Sequence, residues 1–264
     1  AREKVQIVKR RDVAVTGASG EALEILRRRC GRLGVPLAVA PAAEVLGWAR
    51  DAITVALPRL GPVDIGLRGR HQAANAAVAD GLLDALHVAG IATVPADARR
   101  RGYADARWAG RLELLSVGDR EILLDGAHNA DGAAALARAL EDLRPSLSPG
   151  VLTLVWATMV DKDIASVVQA MVASTVLDGA TIVCTAVEAA RAMAPAALAE
   201  AWRAGAAAAG RAIVVRHVPS PELALDMALA TARGPIVVAG SLYLVGAARA
   251  RLVDDPQLRD PVPA

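Results

Sequence analysis

Aromatic side chains are scarce in this sequence. Phenylalanine does not occur, and aromatic residues make up 2% of the 264 positions. The apolar core must therefore come from Ala, Val and Leu, a composition that favours helices packed on Val-rich strands. Proteins that bind single-stranded nucleic acid stack bases on aromatic rings, and few such rings are available here. The scarcity argues against a nucleic-acid partner.

Cysteine and long apolar runs are also limited. Cys30 and Cys184 lie far apart, so they form neither a disulfide framework nor a C-x-x-C metal or redox site. No stretch approaches the ~20 apolar residues of a membrane span, and the sequence does not start with a signal peptide. We expect a cytoplasmic protein without membrane contact. Because the first residues lack an initiator Met, we also expect the chain to be cut at its front end.

Net charge and lysine content are low as well. The 30 basic residues balance 28 acidic ones and leave a net charge of +2, too small for a polyanion-binding protein. Lysine occurs only as Lys4, Lys9 and Lys162, and none of them follows a glycine. The phosphate-binding loop G-x-x-x-x-G-K-[ST] is therefore missing from this sequence. The arginine runs at 27–29 and 99–101 are expected to be solvated helix ends.

What the sequence does contain is a regular alternation of strand and helix patterns. Strands are predicted at 13–15, 35–39, 151–156, 181–185, 213–218 and 236–239, helices at 21–33, 72–86, 164–176, 195–209 and 221–231 with one more ending near 143, and β-hairpins at 53–67 and 112–124. This alternation predicts an α/β fold with a mostly parallel sheet covered by helices. The polar segment at 95–101 places a domain boundary near residue 105, and the tail from Asp254 is expected to fray.

A glycine turn after the first strand tests one alternative function. Residues 13–20 look like the strand and turn of a dinucleotide-binding βαβ unit. Glu21, Ala22 and Leu23 follow Gly20, so the later glycines of G-x-G-x-x-G are missing, and Glu21 puts a carboxylate where pyrophosphate would lie. We therefore rank a nicotinamide-dependent dehydrogenase last.

The most informative segment is Asp-Gly-Ala-His-Asn at 125–129. It follows a predicted strand, and open α/β sheets bind ligands at the carboxyl ends of their strands. Asn129 taken alone is typical of a helix N-cap. A cap does not require the neighbouring Asp125 and His128, so the segment as a whole favours a functional site.

Other polar segments occupy similar places. Arg111, in Trp-Ala-Gly-Arg at 108–111, presents a guanidinium suited to phosphate, although a lone arginine is more often part of a surface ion pair. Asp163 and Ser241 each follow a predicted strand, so we expect them on one rim with Asp125 and His128.

One helix face also carries polar residues. His71 and Asn75 lie one turn apart on an Ala-rich helix. They either bind a shared polar partner or form a polar stripe on the protein surface.

In this order, these segments resemble the folylpolyglutamate synthase/dihydrofolate synthase branch of the Mur ligase superfamily. The matching stretches are residues 2–4, 7–9, 69–77, 108–111, 124–129, 161–163, 191–192, 240–246 and 249. The resemblance implies that residues 1–105 are the end of a P-loop-type α/β ATPase domain whose P-loop part is missing. It also implies that residues 106–264 are a C-terminal Rossmann-like domain that binds glutamate.

The resemblance further implies an ATP-dependent amide ligase. ATP would phosphorylate a carboxylate of a folate or a dihydropteroate, and the amine of L-glutamate would attack the acyl phosphate. ATP and Mg²⁺ are the implied cofactors, and the full-length enzyme is expected to be a monomer. Because the P-loop is missing, we expect this chain alone to be inactive. A non-catalytic ligand-binding module that kept the fold is the alternative.

Roles for individual residues also come from the resemblance. Asn75 would lie near the adenine base, Arg111 on a phosphate and Asp125 on the ribose. His128 and Ser241 would position the incoming glutamate.

Catalytic and metal-binding roles complete the expectation. The resemblance assigns catalytic roles to Lys4, His128 and Asp163. Lys4 matches a family lysine that is carbamylated and in that form ligates Mg²⁺.

Overall fold

The computed structural model describes residues 3–253, so the predicted fraying of the tail from Asp254 lies outside the described residues. The chain divides into two compact units, Ala1–Arg107 and Trp108–Ala264, which we call the first and second units. The division falls two residues after the predicted boundary near 105. Among the described residues, no helix is both long enough and apolar enough to cross a membrane.

From residue 3 onward, the first unit contains five strands and three α-helices. The strands are β1 (Ala14–Thr16), β2 (Leu37–Val39), β3 (Glu44–Trp48), β4 (Ile53–Leu57) and β5 (Gly61–Ile65), the helices are α1 (Gly20–Leu33), α2 (His71–Val88) and α3 (Ala96–Asp105), and a 3-10 helix spans Lys4–Ile7. The predicted hairpin at 53–67 is confirmed as β4 and β5. Strand β3 and helix α3 were not predicted.

Two separate small sheets organise the first unit. Strands β1 and β2 form a parallel pair, while β3, β4 and β5 form an antiparallel sheet in that order. Alternate residues of β4, Ile53, Val55 and Leu57, are almost fully buried. They pack with buried alanines of α2, Ala73 and Ala76, in one cluster. The hairpin thus builds a core of its own away from the parallel pair.

Helix α3 is joined to α2 by a half-buried polar network. The Arg99 guanidinium donates to Asp80 Oδ1 and Asp84 Oδ1, both at 2.9 Å, and the Tyr103 hydroxyl donates to Asp80 Oδ1 at 3.0 Å. Asp80 is only 4% exposed. The expectation that residues 99–101 form a solvated helix end is therefore wrong at Arg99, because two carboxylates of α2 hold its side chain inside.

Within residues 108–253, the second unit contains six strands and five α-helices. The strands are β6 (Glu113–Val117), β7 (Arg120–Leu124), β8 (Thr153–Trp156), β9 (Thr181–Cys184), β10 (Val214–His217) and β11 (Ile236–Ala239), and the helices are α4 (Ala130–Leu143), α5 (Ile164–Val172), α6 (Pro195–Ala208), α7 (Pro221–Thr231) and α8 (Leu242–Leu252). The predicted hairpin at 112–124 is confirmed as the antiparallel pair of β6 and β7. Helix α8 was not predicted.

These six strands form one mostly parallel sheet, which confirms the α/β prediction. The strand order is β10, β9, β8, β11, β7, β6, and only β6 runs antiparallel to its neighbour. One face is covered by α4, α5 and α6 and the other by α7 and α8. In the absence of phenylalanine, Trp156 and Trp202 supply bulk in a T-shaped contact with ring centroids 5.5 Å apart. The carboxyl ends of β7, β8 and β11 meet at one edge of this sheet.

Both cysteines are buried free thiols, one in each unit. Burial raises the pKa of Cys184 to about 12, so this thiol stays protonated at neutral pH.

Candidate active site

The Asp-Gly-Ala-His turn directly after β7 is built around a buried carboxylate. Asp125 is 8% exposed. Its Oδ1 accepts from the Ala127 N–H at 2.9 Å and its Oδ2 accepts from the Leu112 N–H at 3.0 Å. Asp125 therefore ties its own turn to the loop before β6. The ribose contact expected of Asp125 remains a prediction.

A backbone hydrogen bond determines which ring nitrogen of neutral His128 carries the hydrogen. Its Nδ1 lies 2.8 Å from the carbonyl oxygen of Gly126, which can only accept a hydrogen bond. Nδ1 therefore carries the hydrogen, and in the neutral ring Nε2 is the nitrogen that can accept a proton. Asn129, by contrast, caps α4, since its Oδ1 accepts from the Gly132 N–H at 2.8 Å. The alternative of a simple cap is confirmed for Asn129.

Arg111 projects from a tight turn that begins the second unit. Gly110 and Leu112, on either side of it, both have positive φ angles, 66° and 46°. Leu112 is 1% exposed, and a bulky residue in this region of backbone space costs roughly 1–3 kcal/mol. Within residues 3–253, the Arg111 guanidinium forms no hydrogen bond or ion pair. The turn therefore presents an exposed cation that no side chain of the described chain neutralises.

Gly126 lies close to Arg111, to His128 and to the start of α8. The position that a Cβ on Gly126 would take is 2.6 Å from Leu242 Cδ2 and 3.7 Å from Arg111 Nη1. The same glycine accepts the His128 hydrogen bond through its carbonyl oxygen. The arginine, the histidine and the start of α8 thus surround one residue without a side chain.

His128 and Ser241 both line a cavity of about 170 Å³ at this edge of the sheet. The other lining residues are Met159, Asp161, Lys162, Arg191, Gly240, Leu242 and Tyr243. Ser241 is buried and caps α8, its Oγ accepting from the Tyr243 N–H at 3.2 Å. The structure thus places these two predicted glutamate-binding residues in one pocket.

The charged wall of the cavity comes from loops after β8 and β9. Asp161 Oδ2 lies 3.5 Å from Lys162 Nζ and 3.4 Å from Arg191 Nη1. The two loops are held together because the Val160 N–H donates to the Arg191 carbonyl oxygen at 2.9 Å. Desolvation acts to raise the pKa of Asp161, but its own backbone N–H and the charges of Lys162 and Arg191 outweigh it and lower that pKa. The wall therefore carries two cations and one carboxylate at neutral pH.

Asp163, the predicted catalytic carboxylate, does not line this cavity. Its side chain is exposed at the N-cap of α5, where Oδ1 accepts from the Ser166 N–H at 3.1 Å and Oδ2 accepts from the Ser166 hydroxyl at 2.6 Å. The structure brings Asp161 to the pocket instead. Of the four residues expected on one rim, His128 and Ser241 line the cavity and Asp125 and Asp163 do not, and the catalytic role of Asp163 stays a prediction.

Asp161, Lys162 and Arg191 lie in stretches that carry the family resemblance, but no role was predicted for them. Asp161 and Lys162 lie beyond the carboxyl end of β8, and Arg191 lies beyond that of β9. Position after consecutive parallel strands is the signal that could have identified them. Which residue of a loop turns inward depends on the bridge between Met159 and Ala192, which no sequence pattern shows.

The remaining predicted residues belong to the first unit. Asn75 is exposed on α2, and its Nδ2 donates to Gln72 Oε1 at 2.9 Å. Gln72 Nε2 lies 3.1 Å from His71 Nε2, so the buried Gln72 is the shared partner of His71 and Asn75. Lys4 is exposed in the 3-10 helix.

No group of three or more His, Cys, Asp or Glu residues in the described part of the chain is arranged to hold a metal ion. The described residues therefore do not form a magnesium site by themselves.

Comparison with known proteins identifies the family. Residues 110–242, half of the chain, match the family described as Mur ligase, glutamate ligase domain. A probable bifunctional folylpolyglutamate synthase/dihydropteroate synthase of Halobacterium salinarum is 36% identical over 188 residues, which cover 71% of this chain and 21% of that protein. The dihydrofolate synthase/folylpolyglutamate synthase of Mycobacterium tuberculosis is 31% identical over 207 residues, 72% of this chain and 40% of that protein.

Solved structures agree. The folylpolyglutamate synthase of Mycobacterium tuberculosis complexed with ADP superposes with a TM-score of 0.76 at 29% identity, covering 97% of this chain and 59% of that one. The folylpolyglutamate synthase of Thermotoga maritima gives a TM-score of 0.73 at 25% identity, covering 95% of this chain and 56% of that one. The chain thus spans under two thirds of each of these relatives. It belongs to the Mur ligase family, with folylpolyglutamate and dihydrofolate synthases among its relatives.

Proposed function

We propose that this chain supplies the glutamate-binding site and part of the nucleotide-binding site of an ATP-dependent ligase. The ligase joins L-glutamate to a carboxylate of a folate or a dihydropteroate through an acyl phosphate. The observation that carries the proposal is the Gly126 turn, which sets the free Arg111 guanidinium beside the pocket of His128 and Ser241. Amide formation from an acyl phosphate requires a cation that binds the phosphate next to a pocket that binds the amino acid.

The charges of the pocket suit a dicarboxylic amino acid. L-Glutamate carries two carboxylates and one ammonium group, and the pocket wall offers two cations, Lys162 and Arg191, with one carboxylate, Asp161. The Ser241 Oγ accepts one backbone hydrogen bond and keeps its own hydrogen to donate to a carboxylate. We assign Lys162, Arg191 and Ser241 to the carboxylates and Asp161 to the ammonium group.

His128 is assigned to accept a proton from the attacking amine. The ammonium group must lose a proton before its nitrogen can attack the acyl phosphate, and His128 Nε2 is free to accept it. The C–N bond then forms as the C–O bond to phosphate breaks, and the phosphate leaves as hydrogen phosphate with the second proton that the nitrogen loses. Arg111 stabilises the negative charge on the phosphoryl group in both half-reactions, while Asp125 holds the turn and reaches the ribose. Asn75 is assigned to the adenine base.

ATP and Mg²⁺ remain the proposed cofactors. When bound, ATP supplies the phosphoryl group that activates the carboxylate. Lys4 is proposed to ligate Mg²⁺ after carbamylation. Because the sequence contains no P-loop, we expect the 264-residue chain alone to show no ATP-dependent amide formation, and turnover by the chain alone would contradict this expectation.

L-Glutamate binding to the 264-residue chain tests the function. Calorimetric titration should show that His128→Ala and Arg191→Ala each weaken binding about ten- to a hundredfold, since each removes a charge-assisted or directed contact. Arg138→Ala changes an exposed arginine on α4 and is the matched control that should leave binding unchanged. Unchanged affinity in both pocket variants would contradict the glutamate site.

A second titration addresses the non-catalytic alternative. ADP binding should weaken in Arg111→Ala and stay unchanged in Arg138→Ala. If the pocket variants lose glutamate binding while Arg111→Ala leaves ADP binding unchanged, a non-catalytic amino-acid-binding module would be favoured.

A further inference from the structure

The turn that carries Arg111 is tied down on both sides of the arginine. The Gly126 N–H donates to the Gly110 carbonyl oxygen at 2.8 Å, and the Leu112 N–H donates to Asp125 Oδ2 at 3.0 Å. Both flanking residues have positive φ angles. Glycine adopts such a φ without strain, so the cost of this shape falls on Leu112, and any contact that holds the turn opposes its relaxation.

Glu113 supplies that support from within the turn. Its Oε2 accepts from the Gly110 N–H at 2.8 Å, and its two oxygens accept from Arg249 Nε at 3.0 and 3.1 Å. The side chains of Glu113 and Arg249 are only 18% and 19% exposed. Arg249 belongs to α8, so this pair connects the turn to a helix 136 residues away along the chain.

Arg111 itself takes no part in this network. Its neighbours Gly110 and Leu112 are held by hydrogen bonds, while within residues 3–253 its guanidinium has no ion pair or hydrogen bond. A charged group that is placed by its backbone and left without a partner is pre-organised for an external anion, because binding then costs neither a broken ion pair nor an ordering of the loop.

We propose that Glu113 and Arg249 are positioning residues that hold the turn of residues 110–113 in its strained shape and thereby aim Arg111 at the phosphates of the nucleotide. The part about phosphates rests on the proposed function. The part about the turn does not, since it concerns the ligand-free protein. Arg249 acts through Glu113, so replacing either residue should release the same turn.

Hydrogen exchange in the ligand-free 264-residue chain tests the positioning itself. Glu113→Ala and Arg249→Ala should each speed exchange of the Gly126 amide at least about tenfold, although neither residue touches Gly126 directly. Glu113→Gln keeps the acceptor for Gly110 and should have a smaller effect. Glu200→Ala, an exposed glutamate of an i, i+3 pair, is the control. Unchanged Gly126 exchange in both alanine variants would overturn the proposal.

ADP binding tests whether the positioning serves the nucleotide. Arg111→Ala and Glu113→Ala should each weaken ADP binding about tenfold, and the double variant should bind no more weakly than Arg111→Ala alone, because Glu113 acts only through the arginine. A double variant about a hundredfold weaker would show independent effects and would overturn the proposed link. If the unaltered chain fails to bind ADP while the exchange result holds, the proposed function fails and the positioning pair stands.

Discussion

The two units of the molecule use parallel strands in different ways. In the second unit, strands β8 and β11 are buried at every position, with helices on both faces of the sheet. In the first unit, the parallel pair of β1 and β2 has no fully buried residue. Parallel sheets are ordinarily covered on both faces, so the second unit has the usual arrangement and the first does not.

This difference bears on the candidate site. His128, Ser241 and Arg111 stand on turns fixed to a buried sheet, with Gly126 and Gly240 fitted closely against their neighbours. Asn75 and Lys4 are exposed in the unit with the smaller cores. Regions with few buried contacts open at lower free energy than a packed sheet. We therefore expect the first unit to unfold before the second.

The largest expected effect is at Gly240, between β11 and the pocket. Its φ is 94°, and a Cβ there would overlap the Ala157 carbonyl oxygen and the Trp156 ring. Gly240→Ala should lower the free energy of unfolding of the second unit by about 3–5 kcal/mol and abolish glutamate binding. Gly246→Ala, in α8 with open space around it, is the control and should stabilise by ~0.5–1 kcal/mol. Denaturant titration measures both, and equal stability of the two variants would contradict this account.

A smaller effect is expected in the first unit, at Asp80. Asp80→Ala removes the acceptor shared by Arg99 and Tyr103, but Asp84 still pairs with Arg99. The loss should be about 2 kcal/mol, less than that for breaking an isolated buried pair. Hydrogen exchange should rise in residues 53–105 and stay unchanged in β8 and β11. Asp51→Ala, at an exposed loop position, is the control. Equal acceleration in both units would show that they unfold together.

An opposite, stabilising change is expected in the second unit. A cavity of about 80 Å³ lies between α7 and α8, bordered by Val155, Leu225, Val238 and Ala248. Ala248→Val should fill part of it and raise the unfolding free energy by ~0.5–1 kcal/mol relative to Ala250→Val, which carries the same β-branched penalty on the exposed face of the helix. A lower stability of Ala248→Val than of its control would mean that the cavity cannot accept a side chain.

The sequence predicted the second unit better than the first, for physical reasons. Its buried strands are runs of apolar residues such as those of β8 and β11, and its helices begin at caps such as Asn129 and Ser220. Strand β3 was missed because none of its residues is fully buried and because a register shift between Val45 and Gly47 interrupts its pairing.

Helix α3 and the pocket wall were missed for other reasons. The sequence of α3 is polar and has no apolar periodicity, and the ion pair that orders this helix is a tertiary contact. In the site, the sequence found the turns that carry Arg111, His128 and Ser241. It could not tell which carboxylate of the loop after β8 enters the pocket, because a tertiary bridge between two loops decides that.

The smallest expected effect separates those two carboxylates of the second unit. Ser166, through its hydroxyl and its N–H, lowers the pKa of Asp163 below its ordinary value of 3.8. A lowered pKa in the folded state means that Asp163 stabilises the fold above pH 3.8 and that this contribution disappears as the pH falls through the folded-state value. Asp163→Ala should therefore be slightly less stable than the unaltered chain at pH 7, with a difference that begins to shrink only near pH 3.8 and is lost at lower pH, as the folded-state carboxylate takes up its proton.

Glutamate binding completes this last test. Asp163→Ala should leave the affinity for L-glutamate unchanged, because Asp163 is occupied as the N-cap of α5. Asp161→Ala should weaken it about tenfold, because the pocket then lacks the carboxylate assigned to the ammonium group. Calorimetry at pH 7 with thermal melts from pH 3 to pH 7 measures both effects. Glutamate binding lost in Asp163→Ala and kept in Asp161→Ala would place Asp163 in the site and contradict the assignment of Asp161 to the ammonium group.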